Sequence, residues 1–184
     1  MDFFTYLGGL NTPWRTKYRA LNDFVVFLLG MLDYDAGSRI IHTQTELSLC
    51  ALDSKVDVTA DVAILKRTEG ISEYVLLVME EVYIHRHPEG AEGRLMADAV
   101  AAFCQNNLTR KQAGFPCLDS QTILGIVMTY TQPTFYKILV NQAFVHQLLE
   151  EDKFPAEPIY VRGEVESTCQ VLSRHREVDG GIGG

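Results

Sequence analysis

Lysine and arginine are in short supply in this sequence. Sixteen of them stand against 24 aspartates and glutamates, a formal net charge of −8 over 184 residues, and the pI is near 5.1. A nonspecific nucleic-acid binder neutralises phosphates with a basic surface, so the charge disfavours nucleic acid as a partner. It does not exclude a nuclease, because a carboxylate-held cation site adds negative charge that the bound ion offsets. Long hydrophobic runs are also missing. The longest, Phe24 to Leu32 (FVVFLLGML), is about half of the roughly 20 residues a membrane span needs, so it reads as a core helix and no membrane contact is expected. The start, MDFFTYLGGL, has no basic segment of the kind that opens a signal peptide. The four cysteines, Cys50, Cys104, Cys117 and Cys169, are scattered and form no CxxC. That argues against a zinc site and a disulfide framework, and an intracellular setting, cytoplasmic or nuclear, is the expectation. No Gly-rich phosphate loop, dinucleotide fingerprint or Ser/His/Asp motif is present. The sequon Asn107-Leu108-Thr109 reads as chance without a secretion signal.

What is present is globular in type. Hydrophobic residues make up 47% and charged residues 22%, values that suit one domain with a sizeable core. Residues 1–14 read as an arm, 15–166 as a single domain, and 167–184, polar and ending GGIGG, as a flexible tail.

Between Arg15 and Tyr34, apolar residues recur at Tyr18, Leu21, Phe24, Val25, Leu28, Leu29 and Leu32, at offsets of three and four that predict a helix. Ile40-Ile41 with Glu46 to Leu52, then Val56 to Leu65, then Glu73 to Val82, predict three strands, with a charged turn over Lys66 to Ser72. The third is apolar almost throughout and predicts a central strand buried on both faces. His85 to Gly93 reads as a loop. Arg94 to Asn107 (RLMADAVAAFCQNN) reads as a helix, its alanines allowing a close seat on a sheet. Strands over Thr122 to Tyr130 and Thr134 to Val140 are separated by a Thr131-Gln132-Pro133 turn. Asn141 caps a helix over Gln142 to Glu150, and Pro158 to Arg162 is a short last strand. A helix between the third and fourth strands lets the fourth run parallel to a neighbour. The fold class is therefore α/β, a mixed sheet with helices on both faces.

The chemistry concentrates between Val58 and Val82. Asp61 lies on the second strand, and Glu80-Glu81 ends the third. Magnesium takes one or two carboxylates together with waters and substrate phosphate oxygens. Asp61 and Glu80 converge on one cation if the hairpin register sets them side by side. Glu81 falls on the opposite face of a regular strand and offers its backbone carbonyl. The bland reading is that Asp61 marks a strand irregularity and that Glu80-Glu81 is where a buried strand meets solvent. His85-x-His87 is a weaker metal candidate, with a solvated loop as its ordinary reading. Tyr130, Phe135 and Tyr136 are candidates for base stacking, with core or rim packing the commoner role. His146 reads as a surface or half-buried residue.

The segments TADVAIL (Thr59 to Leu65), VLLVMEE (Val75 to Glu81), MADAVAAFCQNN (Met96 to Asn107) and GIVMTYTQPTFYKILV (Gly125 to Val140), in that order, resemble the restriction-endonuclease-like fold. This is the PD-(D/E)XK nuclease superfamily, and more narrowly the chain resembles uncharacterised fungal proteins of that class. The resemblance covers about residues 45–145. It implies an αβββαβ core and Mg²⁺- or Mn²⁺-dependent cleavage of nucleic acid, with Asp61 and Glu80 as catalytic metal ligands. The sequence departs from the pattern where the family has its lysine, which falls on Val82, and where it has the proline, which is Ala60. A helix glutamine common among relatives falls on Cys104, with Gln105 beside it. The lysine can migrate in such folds, and Lys66 and Lys137 are the candidates. Two expectations follow. One is a metal-dependent nuclease-like protein, intact or degenerate, working alone or as a homodimer. The other is a non-catalytic protein-interaction module on the same scaffold, favoured by the acidic charge and by Val82.

Overall fold

A computed structural model describes residues 14–51, 54–81, 88–129, 131–150 and 160–163. The elements in chain order are helix α1 (Trp14–Met31), strands β1 (Arg39–Ala51), β2 (Ser54–Thr68) and β3 (Ile71–Glu81), helix α2 (Pro88–Gln112), strands β4 (Ser120–Thr129) and β5 (Gln132–Asn141), helix α3 (Gln142–Glu150) and strand β6 (Tyr160–Gly163). The strands form one six-stranded sheet in sequence order. All pairings are antiparallel except β3 with β4, which run parallel. The α2 crossover is what permits that parallel pair, since parallel neighbours cannot be joined by a tight turn.

Apolar residues on the two faces of the sheet separate into two cores. On one face Leu21, Phe24, Val25 and Leu29 of α1 pack with Val62, Ile64, Leu76, Val78, Ile126 and Met128. On the other, Leu95, Ala99, Ala102 and Phe103 of α2, with Phe144 of α3, pack with Leu47, Ala63, Leu77, Met79 and Ile138. Leu76 to Met79 are each 1% exposed or less, so β3 is covered on both sides, as its unbroken apolar run predicts.

Several boundaries differ from those read off the sequence, each for a physical reason. The β2–β3 turn is only Glu69-Gly70, with φ of 53° and 87°. Two positive φ values make the tight hairpin turn whose twist suits the flanking strands, so charged residues from Lys66 to Thr68 and Ser72 to Glu73 pair within the ladder. α2 begins at Pro88 rather than Arg94. Proline is favoured at a first helical position, and burial of Ala91 (1% exposed) outweighs the poor propensity of Gly90 and Gly93. The first strand is continuous through Gln44, which takes φ of 50° instead of breaking it. β5 starts at Gln132, and Pro133 sits inside it opposite Met128, beyond the stretch that β6 covers. There the missing N–H costs no ladder bond to β6. The cap predicted at Asn141 is present: its Oδ1 accepts the Phe144 N–H at 2.7 Å. The sixth strand is Tyr160–Gly163. The arm, apart from Trp14, and the tail lie outside the described residues.

Gly125 sets how closely α2 sits on the sheet. A Cβ there would lie 2.7 Å from Leu95 Cδ2 and 3.2 Å from Ile138 Cδ1. Leu95, 1% exposed, occupies the space a side chain would need.

Candidate functional site

Three polar side chains are buried among the described residues: Asp61, Asp98 and Asn106, at 5%, 4% and 1% exposure. A buried polar group is costly unless its hydrogen bonds are made inside, so what each one touches separates structure from site.

Asn106, on α2, is fully used. Its Oδ1 accepts the Tyr74 N–H at 2.7 Å, and its Nδ2 donates to Tyr74 O and Gln121 Oε1, both at 2.9 Å. The β2–β3 register shifts between Ile64 and Leu65, leaving Val75 unmatched between Tyr74 and Leu76. Asn106 supplies the hydrogen bonds the ladder gives up at this bulge. Its role is structural, and it was missed in the sequence because an asparagine near a helix end has no distinctive spacing.

Asp61 sits where β2 changes face. Val58 and Ala60 belong to the α2 side of the sheet, Val62 and Ile64 to the α1 side, although residues two apart share a face in a regular strand. Thr43 pairs with Val62 and Thr45 with Ala60, so both strands switch between the same two pairs. Gln44, opposite Asp61, absorbs the change with its positive φ, at a cost of roughly 1 kcal/mol for a non-glycine residue. Asp61 also lies one residue past Val62–Val78, the last pair of the β2–β3 ladder, where the two strands cease to be joined. Its backbone carbonyl is met from α1 by Asn22 Nδ2 at 3.4 Å.

Asp98 is the residue that the sequence reading did not single out. It lies three positions after Leu95 and four before Ala102, within the buried face of α2, which is the signal that could have found it. Its carboxyl pKa is raised from 3.8 to about 7: burial is the largest cause, Arg94 one turn earlier opposes it, and Asp61 adds to it. Asp61 on β2 is therefore near enough to Asp98 on α2 for their charges to repel. Ala60 and Ala63 pack in the same core as Ala99 and Ala102, and these small residues let the two backbones approach. No hydrogen bond to the Asp98 carboxylate is made among the described residues. On β1, opposite Ala60, Thr45 Oγ1 is buried and also lacks a partner.

The remaining candidates divide. Glu80 and Glu81 end β3 with their Cα atoms against Met128 and Thr129 of β4; their side chains, with Val82, His85, His87 and Tyr130, lie outside the described residues. Among the described residues no three His, Cys, Asp or Glu side chains form a metal-holding group. Neither lysine candidate reaches Asp61. Lys66 is five residues along β2, roughly 17 Å away, opposite Arg39 and Glu73. Lys137 is exposed and alternates with the buried Tyr136 and Ile138 of the α2-side core, so it lies on the other face. Cys104 is six residues, about 9 Å, along α2 from Asp98, and Gln105 lines a shallow hollow with Gly70, Tyr74 and Thr109. Tyr136 is no base platform: it is 4% exposed and donates its hydroxyl to Glu92 Oε1 at 2.6 Å. Phe135 is half-buried against the α1-side core. His146 is exposed on α3. Asn107 spends its carboxamide on the backbone of Leu118, which ties down the loop after α2. No helix among the described residues is long and apolar enough to cross a membrane.

Neither a protein-family model nor a curated protein matches this sequence.

Proposed function

We propose that this protein is a metal-dependent nuclease-like protein on a restriction-endonuclease-like scaffold, with Asp61 and Glu80 holding Mg²⁺ or Mn²⁺. The observation that carries the reading is the placement of Asp61. It is a buried carboxylate at the open end of the β2–β3 ladder, in a sheet whose helix–three strands–helix–strand order is the one the resemblance implies. The donors suit the ion: hard divalent cations take oxygen ligands, and the charge of Asp61 acts on a second buried carboxylate, Asp98. Glu80, two residues beyond Val78 on the adjoining strand, is the partner ligand, and the Glu81 carbonyl is a further oxygen. When bound, such a cation lowers the pKa of an attacking water and stabilises the leaving oxygen of a phosphodiester.

The chain's own residues orient the site. Asn22 holds the Asp61 backbone against α1. Arg94, exposed and close enough to act on Asp98, is the cation at the rim that can meet a substrate phosphate. With Val82 at the family's lysine position and Lys66 and Lys137 elsewhere, no lysine of the described residues is placed beside Asp61, and cleavage should be slow. That gap supports the second reading, a protein-interaction module that keeps the scaffold. Calorimetric titration with Mn²⁺, on the wild type and on Asp61→Ala, decides between them. Saturable binding that the substitution abolishes supports the nuclease-like reading. Absence of binding by the folded wild type refutes it in favour of the module.

A further inference from the structure

We infer that the hollow between the β2–β3 hairpin and the last turns of α2 is a binding site for a nucleobase, with Tyr74 as the surface on which the ring stacks. The inference is independent of the metal reading. Leu65, the β2 residue at the hollow, is four positions along the strand from Asp61, roughly 13 Å away.

The bulge in β3 is what brings Tyr74 there. Leu76 and Val78 lie on the α1 side of the sheet, and Leu77 and Met79 on the α2 side. Regular alternation would therefore put Tyr74 on the α1 side. Val75 packs with the α1-side core, as Leu76 does, and Tyr74 packs with the α2-side core. The ladder skips Val75, passing from Ile64–Leu76 to Leu65–Tyr74. Bulges re-aim side chains in this way and are common beside functional sites. The new position is held firmly. The Tyr74 N–H donates to Asn106 Oδ1, and the Tyr74 carbonyl accepts from both Asn106 Nδ2 and Gln121 Nε2. The residue is only half-buried and lines the hollow. A ring fixed in advance loses little freedom when a base stacks on it.

The hollow itself suits an uncharged ligand. Its volume is about 530 Å³, within the range of small-molecule sites. None of its lining residues is charged. Glu73 and Arg110, next in sequence to Tyr74 and Thr109, are paired with each other at 2.9 Å. A phosphate or carboxylate thus finds no cation in the lining, and an ammonium finds no carboxylate. Gln105, Thr109 and Gln112 line it at offsets of four and seven, one stripe of α2, and Ser72 lines it from β3. The side chains of these four make no hydrogen bond among the described residues. Each carboxamide offers donors and an acceptor, the pair of functions that reads a base edge beside a stacking aromatic. Burial pushes the Tyr74 phenol above its ordinary pKa of 10.0, so its hydroxyl stays neutral and able to donate.

The common ribonucleosides, titrated in chelator into ¹⁵N-labelled full-length protein, are the probes. At millimolar concentration, at least one should shift the side-chain amides of Gln105 and Gln112 together with the backbone amides of Gly70 and Ala113. Tyr74→Ala should weaken that binding roughly 5- to 150-fold, the loss expected when base–aromatic stacking is removed. Tyr74→Phe keeps the stack and should cost less than about tenfold. Gln112→Ala, at an exposed position, should weaken binding several-fold and guards against a Tyr74→Ala protein that does not fold. Short single-stranded RNA separates the sources of the base. Binding tighter than that of any nucleoside assigns the hollow to a base within a strand, and binding no tighter assigns it to a free nucleoside. No shift at these residues with any probe overturns the inference. So does affinity unchanged in folded Tyr74→Ala, or in Gln112→Ala where Tyr74→Ala does not fold. Inorganic phosphate or ribose reproducing the shifts overturns the choice of a base. Because the chelator removes divalent ions, failure here leaves the Asp61 reading standing, and failure of Mn²⁺ binding leaves this one standing.

Discussion

Replacing Asp98 by asparagine tests the physical account of the site without any metal or substrate. The carboxyl pKa is 3.8 unperturbed and about 7 in the folded protein. Between those values the folded state keeps a proton that the unfolded chain has released. Folding stability therefore falls as pH rises from about 4 to 7 and levels off above 7. At 1.36 kcal/mol per pKa unit, the full difference is about 4 kcal/mol, and the part lost between pH 5 and pH 8 is about 2.5 kcal/mol. Burial is the main cause, Arg94 on the same helix offsets part of it, and Asp61 on β2 reinforces it. Asparagine cannot ionise, so its stability lacks this component. Urea unfolding of both proteins in chelator at pH 5 and pH 8 isolates the effect of Asp98 and its coupling to Asp61 and Arg94, because titrating groups away from it contribute equally to both. The stability of Asp98→Asn relative to wild type should rise by about 2.5 kcal/mol between the two pH values. At a slope of roughly 2 kcal/mol/M, the relative midpoint moves by more than 1 M. A difference that stays constant with pH would falsify the claim that Asp98 is a buried, uncompensated acid.

Three further outcomes follow from the packing and from the proposed chemistry. Gly125→Ala should cost about 1–3 kcal/mol by driving a methyl into Leu95; combined with Leu95→Ala it should cost at least ~1 kcal/mol less than the two single changes added, and a strictly additive cycle in urea melts refutes the contact. Asn106→Ala should cost about 2–4 kcal/mol, since the Tyr74 N–H loses its acceptor while its carbonyl keeps Gln121 Nε2 at 3.2 Å; hydrogen exchange at Tyr74 should accelerate in step, and unchanged protection would count against the clamp. On the nuclease reading, Val82→Lys restores the family's missing base and should raise Mn²⁺-dependent nicking of plasmid DNA by at least tenfold; a folded variant no more active than wild type puts position 82 outside the site.

Most of the architecture was legible because it follows from periodicity and composition. The unbroken apolar run of β3, the three-and-four spacing of α1, the alanine face of α2 and the Asn141 cap are local signals, and each element appears. Boundaries were less legible where charged residues sit in a ladder, as at Lys66 to Thr68, or where glycines sit in a helix, as at Gly90 and Gly93. In both places tertiary pairing or burial outweighs propensity. Within the site, Asp61 was legible as a lone acid among apolar strand residues. Asp98 was legible only through its spacing from Leu95 and Ala102, which puts it on the buried face of α2, a weak signal in an alanine-rich helix. Lys66 and Lys137 were eligible because the family's lysine can migrate to another element of the core, and strand length and face alternation set both away from Asp61.

By itself, then, the amino-acid order determined which stretches become helix or strand, that the sheet is mixed with helices on both faces, and that one strand carries a buried-type acid. These are consequences of side-chain periodicity and backbone propensity, which act over a few residues. The tertiary structure decided that β1 and β2 change face together at Gln44 and Asp61. It also decided that a bulge in β3 is held by Asn106, and that Asp98 of α2 lies near enough to Asp61 of β2 for their charges to interact. Those are long-range facts, because register and helix docking depend on how two cores fill at once, and no single segment contains that information.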